Sequence, residues 1–120
     1  MNKLNDIGRI LFALPFAVFG ILHFINAGGM AGLVPAWVPG GVFWVYLTGL
    51  ALIAATVAIV AKKYISLASL LLAILMFVFV LTIHLPMLIG GNQMAMSGLL
   101  KDFALGGAAL MISGLYKDTE

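Results

Sequence analysis

Four long apolar runs constrain the fold of this chain more than any other feature of its sequence. They cover about residues 7–26, 42–61, 65–89 and 99–116. A helix that crosses the hydrocarbon core of a bilayer needs about 20 mostly apolar residues, and each run comes close to that length. Main-chain N–H and C=O groups find no water in lipid, so each spanning segment must close its own hydrogen bonds as a helix. The sequence therefore predicts an all-α fold, an integral membrane four-helix bundle.

Composition leads to the same prediction. Hydrophobic residues make up 64% of the chain and charged residues only 8%, whereas about 25% of the residues in a soluble domain are charged. A surface built from these residues is solvated by lipid, so the lipid bilayer is the first expected partner. The length of 120 residues, without a shift in composition, predicts a single membrane domain over residues 1–120.

Charge and cysteine content exclude two classes of function. The net charge of +2 is small and dispersed along the chain, so we expect no nucleic-acid binding. The chain contains no cysteine. This excludes disulfide chemistry and thiolate metal sites within it.

The positions of the basic residues predict the orientation of the helices. With four spans, the amino terminus, the connector after the second run and the carboxyl terminus lie on one side of the membrane. That side collects Lys3, Arg9, Lys62, Lys63 and Lys117, whereas the opposite side has Lys101. Because basic residues concentrate on the cytoplasmic side, we predict a multi-pass protein of the inner (plasma) membrane with both termini in the cytoplasm.

Polar side chains within the apolar runs are the candidates for function, because lipid disfavours them. Two histidines approach the outer end of the predicted bundle. His23 lies about one turn before the end of the first run, and His84 lies in the stretch FVLTIHLPML at 79–88 of the third. Further polar or aromatic residues lie at the same level, in the first connector and at the entrance of the fourth run. The predicted ligand-binding set is His23, Asn26, Trp37, His84, Lys101 and Asp102.

Two interpretations of the histidines stay open at this point. In the first, they hydrogen-bond to each other, to Asn26 or to the carbonyl of Thr82, and so hold helices together. Pro86 makes that carbonyl available, because proline lacks the N–H that would bond to it. In the second, a histidine donates a proton to the carbonyl of a quinone, since imidazole titrates near neutral pH.

The aromatic residues of the first run allow the same two interpretations. Phe12, Phe16 and Phe19 fall on roughly the same helical face as His23. This face suits either a flat apolar ligand or packing against another helix. A stable metal site needs three or four ligands, and Asp102 is the only carboxylate near the histidines, so we predict no metal site.

Three stretches of the sequence resemble the DoxX-like family of small four-helix membrane proteins. They read RILFALPFAVFGILHF at 9–24, LVPAWVPGGVFWVYLTG at 33–49 and GLLKDFALGGAALMI at 98–112. The most specific element is V-P-x-W-x-P-G at 34–40, followed by the Lys-Asp pair that opens the fourth run. In the first run, the family's Phe-Gly-x-x-His-Phe pattern matches Phe19, Gly20, His23 and Phe24. The resemblance implies a four-helix membrane bundle.

The resemblance also carries an expectation about function and one departure. Founding members of the DoxX-like family look like small subunits of a thiosulfate:quinone oxidoreductase. Many relatives carry an acidic residue directly after the glycine that corresponds to Gly49, whereas this chain has Leu50 there. We therefore expect no buried carboxylate in the middle of a span. This departure weakens the inference that the redox activity of those relatives applies to this chain.

These observations predict an accessory or quinone-interacting subunit of a membrane redox complex. Quinone is its candidate cofactor, and a soluble oxidoreductase or a second copy of the chain is its candidate partner. The alternatives are a small-solute transporter or channel and a ligand-free membrane scaffold, for which the alanines of the second run, including Ala54 and Ala58, supply a packing stripe. Paired carboxylates, an activated nucleophile and a phosphate-binding loop are missing from the sequence, so we predict no catalytic activity by the chain alone.

Overall fold

The computed structural model describes residues 3–37 and 39–117 and is built almost entirely from helices. Its four long helices, called the first to the fourth in chain order, are Lys3–Ile25, Val42–Val60, Ile65–Ile89 and Ala95–Leu115. All four are long and apolar enough to cross a membrane. The predicted all-α, four-helix architecture is thus confirmed. Val38 of the V-P-x-W-x-P-G motif and the ends of the predicted domain, 1–2 and 118–120, lie outside the described residues.

The helix boundaries agree with the prediction in the middle of the chain and differ at its two outer helices. The first helix begins at Lys3 rather than near residue 7, and the fourth begins at Ala95 rather than near residue 99. The extension of the first helix contains Lys3, Asn5 and Asp6, and that of the fourth contains Ser97 and Gly98, so apolar length alone did not reveal them. The earlier start of the fourth helix has a direct effect on the candidate site.

The connector after the first helix contains two short helical segments, Ala27–Met30 and Ala31–Leu33. Its return into the second helix uses Gly40 and Gly41, whose φ angles of 99° and 33° would strain any larger residue. The indole N–H of Trp44 donates a hydrogen bond to the carbonyl of Pro39. This hydrogen bond connects the end of the motif to the first turn of the second helix.

The helices pack as two pairs, the first with the second and the third with the fourth. Glycines allow this close approach. A Cβ atom placed on Gly49 would lie 2.8 Å from the Cβ of His23 and 3.0 Å from the carbonyl oxygen of Gly20. A Cβ atom placed on Gly106 would lie 2.8 Å from the ring of Phe77. In each pair, a glycine therefore sets the distance between the two helices.

The two pairs meet in an apolar core near the middle of the bundle. Its buried members come from the first three helices: Ala13, Phe16, Leu52, Ile59, Ala68, Leu72 and Met76. Ala55 and Ala58 of the predicted alanine stripe pack against this core, whereas Ala54 is exposed. The stripe is thus only partly an internal packing surface.

The third helix contains one wide turn. Residues Val80–His84 form a π-helical turn, in which the N–H of Leu85 bonds to the carbonyl of Val80. The α-helix resumes as Leu85–Ile89, with Pro86 as its second residue. Since a π turn holds an extra residue, it changes the direction in which the following side chains point, and such turns are frequent at functional sites. His84 is the last residue of this turn.

Two names are used below for the ends of the bundle. The terminal end contains Lys3, the tight turn at 61–64 and Lys117. The connector end contains the connectors 26–41 and 90–94. The candidate site lies at the connector end.

Candidate functional site

A partly buried hydrogen bond between His84 and Asp102 joins the third and fourth helices at the connector end. The Nε2 atom of His84 lies 2.6 Å from Oδ2 of Asp102. The side chain of Asp102 is only 6% exposed and that of His84 is 20% exposed. A carboxylate oxygen can only accept, so Nε2 of His84 carries the hydrogen and donates it. Nδ1 is then the acceptor in the neutral imidazole.

The burial of Asp102 corrects the expectation that no carboxylate lies inside a span. The fourth helix begins at Ala95, so Asp102 lies about two turns into it rather than at its entrance. The amide side chain of Asn92 initiates this early start: Oδ1 of Asn92 accepts a hydrogen bond from the N–H of Met94 at 3.0 Å. Asn92 is therefore the sequence signal that could have placed the carboxylate inside the helix.

Lys101 provides the second partner of the carboxylate. Its Nζ atom lies 3.4 Å from Oδ1 of Asp102. The same atom lies 5.3 Å from the centre of the Phe19 ring on the first helix, within the range of a cation–π contact. Lys101 thus connects the fourth helix to the first, and both oxygens of Asp102 have a cationic or hydrogen-bonding partner.

His23 makes a different contact from those expected. Its Nδ1 atom lies 2.6 Å from the carbonyl oxygen of Phe19, one turn earlier in the same helix. Because a carbonyl only accepts, Nδ1 of His23 is the donor and Nε2 is the acceptor of the neutral ring. The expected hydrogen bonds to the other histidine, to Asn26 or to the Thr82 carbonyl are replaced by His23 to Phe19 and by His84 to Asp102.

A cavity of about 600 Å³ lies between the two helix pairs at the connector end. Its floor is the top of the apolar core, with Phe16, Leu52 and Met76, which are all buried. Residues of the first connector and Trp44 lie at the opposite end of its lining. The volume is within the range of pockets that enclose a small organic molecule.

The cavity brings together five of the six residues in the predicted ligand-binding set. His23, Trp37, His84, Lys101 and Asp102 line it. Asn26 does not belong to this lining: it lies at the junction between the first helix and the segment Ala27–Met30, with an exposed side chain. Thr48 and Thr82, polar residues of the apolar runs that the predicted set does not include, add hydroxyl groups to the wall.

The lining of the cavity is apolar except for one polar region, which contains His23, His84, Lys101 and Asp102. The hydroxyl of Thr82 donates to the carbonyl of Val78 at 2.7 Å, so it is already paired. The polar region therefore offers the ammonium group of Lys101, the imidazole of His84 and Nε2 of His23 to a ligand. Within residues 3–37 and 39–117, no group of three or more His, Cys, Asp or Glu side chains could hold a metal ion. The arrangement suits a mainly apolar molecule that carries hydrogen-bonding groups at one end.

A family model matches most of the chain. The model of a family described as Domain of unknown function (DUF8561) matches residues 12–110. The match begins within the first helix and ends within the fourth, so it includes the cavity and its polar region. No curated protein and no solved structure matches the chain.

Proposed function

The chain belongs to the DUF8561 family, whose description states no activity, and from its site we propose that it binds a quinone or quinol within the membrane. In this proposal, the protein is an accessory or quinone-interacting subunit of a membrane redox complex. The observation that carries the proposal is the buried His84–Asp102 pair in the wall of an otherwise apolar cavity. Ionisable groups inside membrane helices are costly, and they usually belong to functional sites.

The polar groups match both redox forms of such a ligand. A quinone presents carbonyl oxygens, which accept hydrogen bonds, and the ammonium group of Lys101 is a donor. A quinol presents hydroxyl groups, which can donate to Nε2 of His23 when this ring is neutral. Donors and acceptors are thus available in the same region of the cavity.

The apolar part of the cavity matches the ring. Phe16, Phe19 and Trp44 contribute aromatic faces to the lining, and aromatic side chains stack favourably on flat rings. Phe16 and Phe19 are themselves in edge-to-face contact, with their ring centres 6.3 Å apart. Their contact supports a rigid aromatic wall next to the polar region.

We place the site in the outer leaflet of an inner (plasma) membrane, with both termini in the cytoplasm. The support is the distribution of basic residues: the terminal end carries Lys3, Arg9, Lys62, Lys63 and Lys117, whereas the connector end carries Lys101. A quinone is dissolved in the bilayer and can reach a cavity at that depth. The orientation and the ligand class are therefore compatible.

The accessory role is supported by the resemblance to DoxX-like proteins, whose founding members look like small subunits of a thiosulfate:quinone oxidoreductase. Under this proposal, electrons reach the quinone from a partner, either a soluble oxidoreductase or an assembly that contains more than one copy of the chain. The chain itself supplies the binding site and holds the ring close to that partner.

Two tryptophans make the proposal directly testable. The chain contains only Trp37 and Trp44, and both line the cavity. A benzoquinone bound there should quench their fluorescence, so titration of the purified protein in detergent measures the affinity. We expect His84→Ala and His23→Ala to weaken binding, whereas Met111→Ala, on an exposed part of the fourth helix, should not. Unchanged affinity in both histidine variants would exclude the proposed site.

A small-solute transporter is the second candidate, and the burial of Asp102 favours it. Carboxylates embedded in a membrane commonly couple the movement of a solute to that of protons. The closed floor at Phe16, Leu52 and Met76 opposes it, since the cavity does not continue towards the terminal end. Flux of small solutes through proteoliposomes that is abolished in Asp102→Asn would favour transport, and flux at the level of empty liposomes would remove it.

A further inference from the structure

The cavity has a side opening between the second and third helices. Near the terminal end these helices are joined by the tight turn at 61–64, and they pack together in the core through Leu52, Ile59 and Leu72. Towards the connector end, the facing sides of both helices line the cavity instead of packing against each other. They therefore separate over the half of the bundle that contains the candidate site.

The residues along this separation are exposed as well as cavity-lining. Leu47 and Ala51 of the second helix and Val78 of the third line the cavity, and all three are exposed at the surface of the bundle. Leu47 and Val78 are each 43% exposed. A side chain that faces both the interior and the surrounding medium marks an opening. These three side chains are apolar, so the opening between them suits hydrocarbon rather than water.

The gap between the first and fourth helices has the opposite character. There the ammonium group of Lys101 lies over the ring of Phe19, and it also pairs with Asp102. Because the first helix packs on the second and the third on the fourth, this charged gap and the apolar opening lie on opposite sides of the bundle. The cavity thus has a polar side and an apolar exit.

We propose that the ligand is a long-tailed lipid whose ring occupies the polar side of the cavity while its hydrocarbon tail leaves between Leu47, Ala51 and Val78. This inference rests on the proposed quinone function and narrows it to quinones with an isoprenoid tail. The ligand enters laterally from the bilayer, with its tail remaining in lipid. A water-soluble molecule of the same head group lacks the contacts along the opening.

The test compares two probes on the full chain. One is a benzoquinone with a long isoprenoid tail, and the other has the same head with a methyl group in place of the tail. Affinity is read from the fluorescence of Trp37 and Trp44. Ala51→Phe and Val78→Phe narrow the opening from two different helices without adding a tryptophan. Ala54→Phe and Ile74→Phe are matched controls, at exposed positions one turn away that do not line the cavity.

We expect the unaltered chain to prefer the long-tailed probe. Ala51→Phe and Val78→Phe should each weaken its binding by about tenfold, because each methylene withdrawn from apolar surroundings weakens binding severalfold. The methyl probe should lose less affinity in these two variants than the long-tailed probe does. The two control variants should retain the affinity of the unaltered chain for both probes.

Other outcomes overturn the tail path in distinguishable ways. Equal affinity of the unaltered chain for both probes, or unchanged long-tail binding in both opening variants, would show that the tail does not use this exit. Equal weakening of both probes in the opening variants would also overturn the tail path, because the tail would then add no interaction that these substitutions remove. Binding of neither probe to the unaltered chain would overturn the proposed quinone function, and the tail path with it.

Discussion

Each end of the bundle has a cluster of charged residues built around one buried side chain, Arg9 or Asp102, and the two clusters differ in what surrounds them. At the terminal end, Arg9 is buried and lies near Asp6 at 3.6 Å. At the connector end, Asp102 is equally buried and pairs with His84 and Lys101. The second cluster lines the cavity, whereas Arg9 is not part of that lining.

The partners of the two buried charges explain this difference. Arg9 donates from Nη1 to the carbonyls of Ile59 and Val60, the last residues of the second helix. Helix ends leave such carbonyls without intrahelical partners and carry partial negative charge, which a cation stabilises. Arg9 therefore completes the end of a neighbouring helix. Asp102 instead pairs with side chains that also face a cavity, where a ligand can reach them.

Burial of a charge therefore does not by itself identify a binding site. A charge that satisfies main-chain groups stabilises the fold, and its loss should appear in the unfolding free energy. A charge that supports side chains along a cavity should appear in ligand affinity. The following predictions test this division, from the largest expected effect to the smallest.

Arg9→Ala should lower the free energy of unfolding by about 2–3 kcal/mol, because it leaves the Ile59 and Val60 carbonyls without their charged donor. Denaturant titration of the protein in detergent measures this change. Arg9→Lys, which keeps the charge but loses the planar fork, is the control and should recover part of the stability. Loss of quinone affinity with unchanged stability would contradict the assignment of Arg9 to the fold.

Asp102→Asn should reduce quinone affinity by about fivefold, because the hydrogen bond that holds His84 loses roughly 1 kcal/mol when its acceptor is no longer charged. The substitution preserves the side-chain volume, so we expect a smaller loss of stability than in Arg9→Ala. Tryptophan quenching and denaturant titration on the same sample separate the two effects. The comparison would fail if stability fell as far as in Arg9→Ala while affinity stayed constant.

Gly98→Ala should reduce quinone affinity by about threefold, through the position of His84. A Cβ atom at this position would lie 2.8 Å from Cε1 and 2.9 Å from Nδ1 of the imidazole, so the ring must move. We expect this movement of the ring to lengthen the 2.6 Å hydrogen bond between His84 and Asp102, and hydrogen bonds weaken as they lengthen. Gly107→Ala in the same helix meets nothing within 4 Å and is the matched control. Equal quinone affinities of Gly98→Ala and Gly107→Ala would show that binding does not depend on the position of His84.

Lys62→Ala should change the free energy of unfolding by less than about 0.5 kcal/mol, the smallest effect of the series. Its Nζ lies 3.5 Å from Oδ1 of Asp6, but the two side chains are 56% and 38% exposed. Exposed ion pairs contribute little because water and salt screen them. A destabilisation comparable to that of Arg9→Ala would show that the terminal cluster acts as one network rather than through Arg9.

Much of the fold could be predicted because membrane-spanning length is a local property of the sequence. The four apolar runs coincide with the four long helices, and the glycines and prolines of the first connector lie where the chain turns back. The level of the site was also predictable. His23 and His84 lie near the ends of two parallel runs, and both line the cavity.

The partners within the site were not predictable in the same way. His84 bonds to Asp102 because the Asn92 turn starts the fourth helix early and places the carboxylate two turns inside it. The imidazole also needs Gly98, whose missing side chain leaves room for the ring. Both conditions depend on where helices begin and how they face one another, which apolar periodicity does not specify.

The sequence by itself determined the number of spans, their order and the ends at which the charged residues gather, because solvation in lipid acts on each segment separately. Only the tertiary structure decided that Asp102 is buried while Lys101 reaches Phe19, and that the second and third helices part around a cavity. The burial of Asp102 follows from the early start of the fourth helix and from its pairing with His84 of the third, and the cavity lies between two helix pairs that pack closely at Gly49 and Gly106. These features belong to pairs of helices, and no single segment contains them.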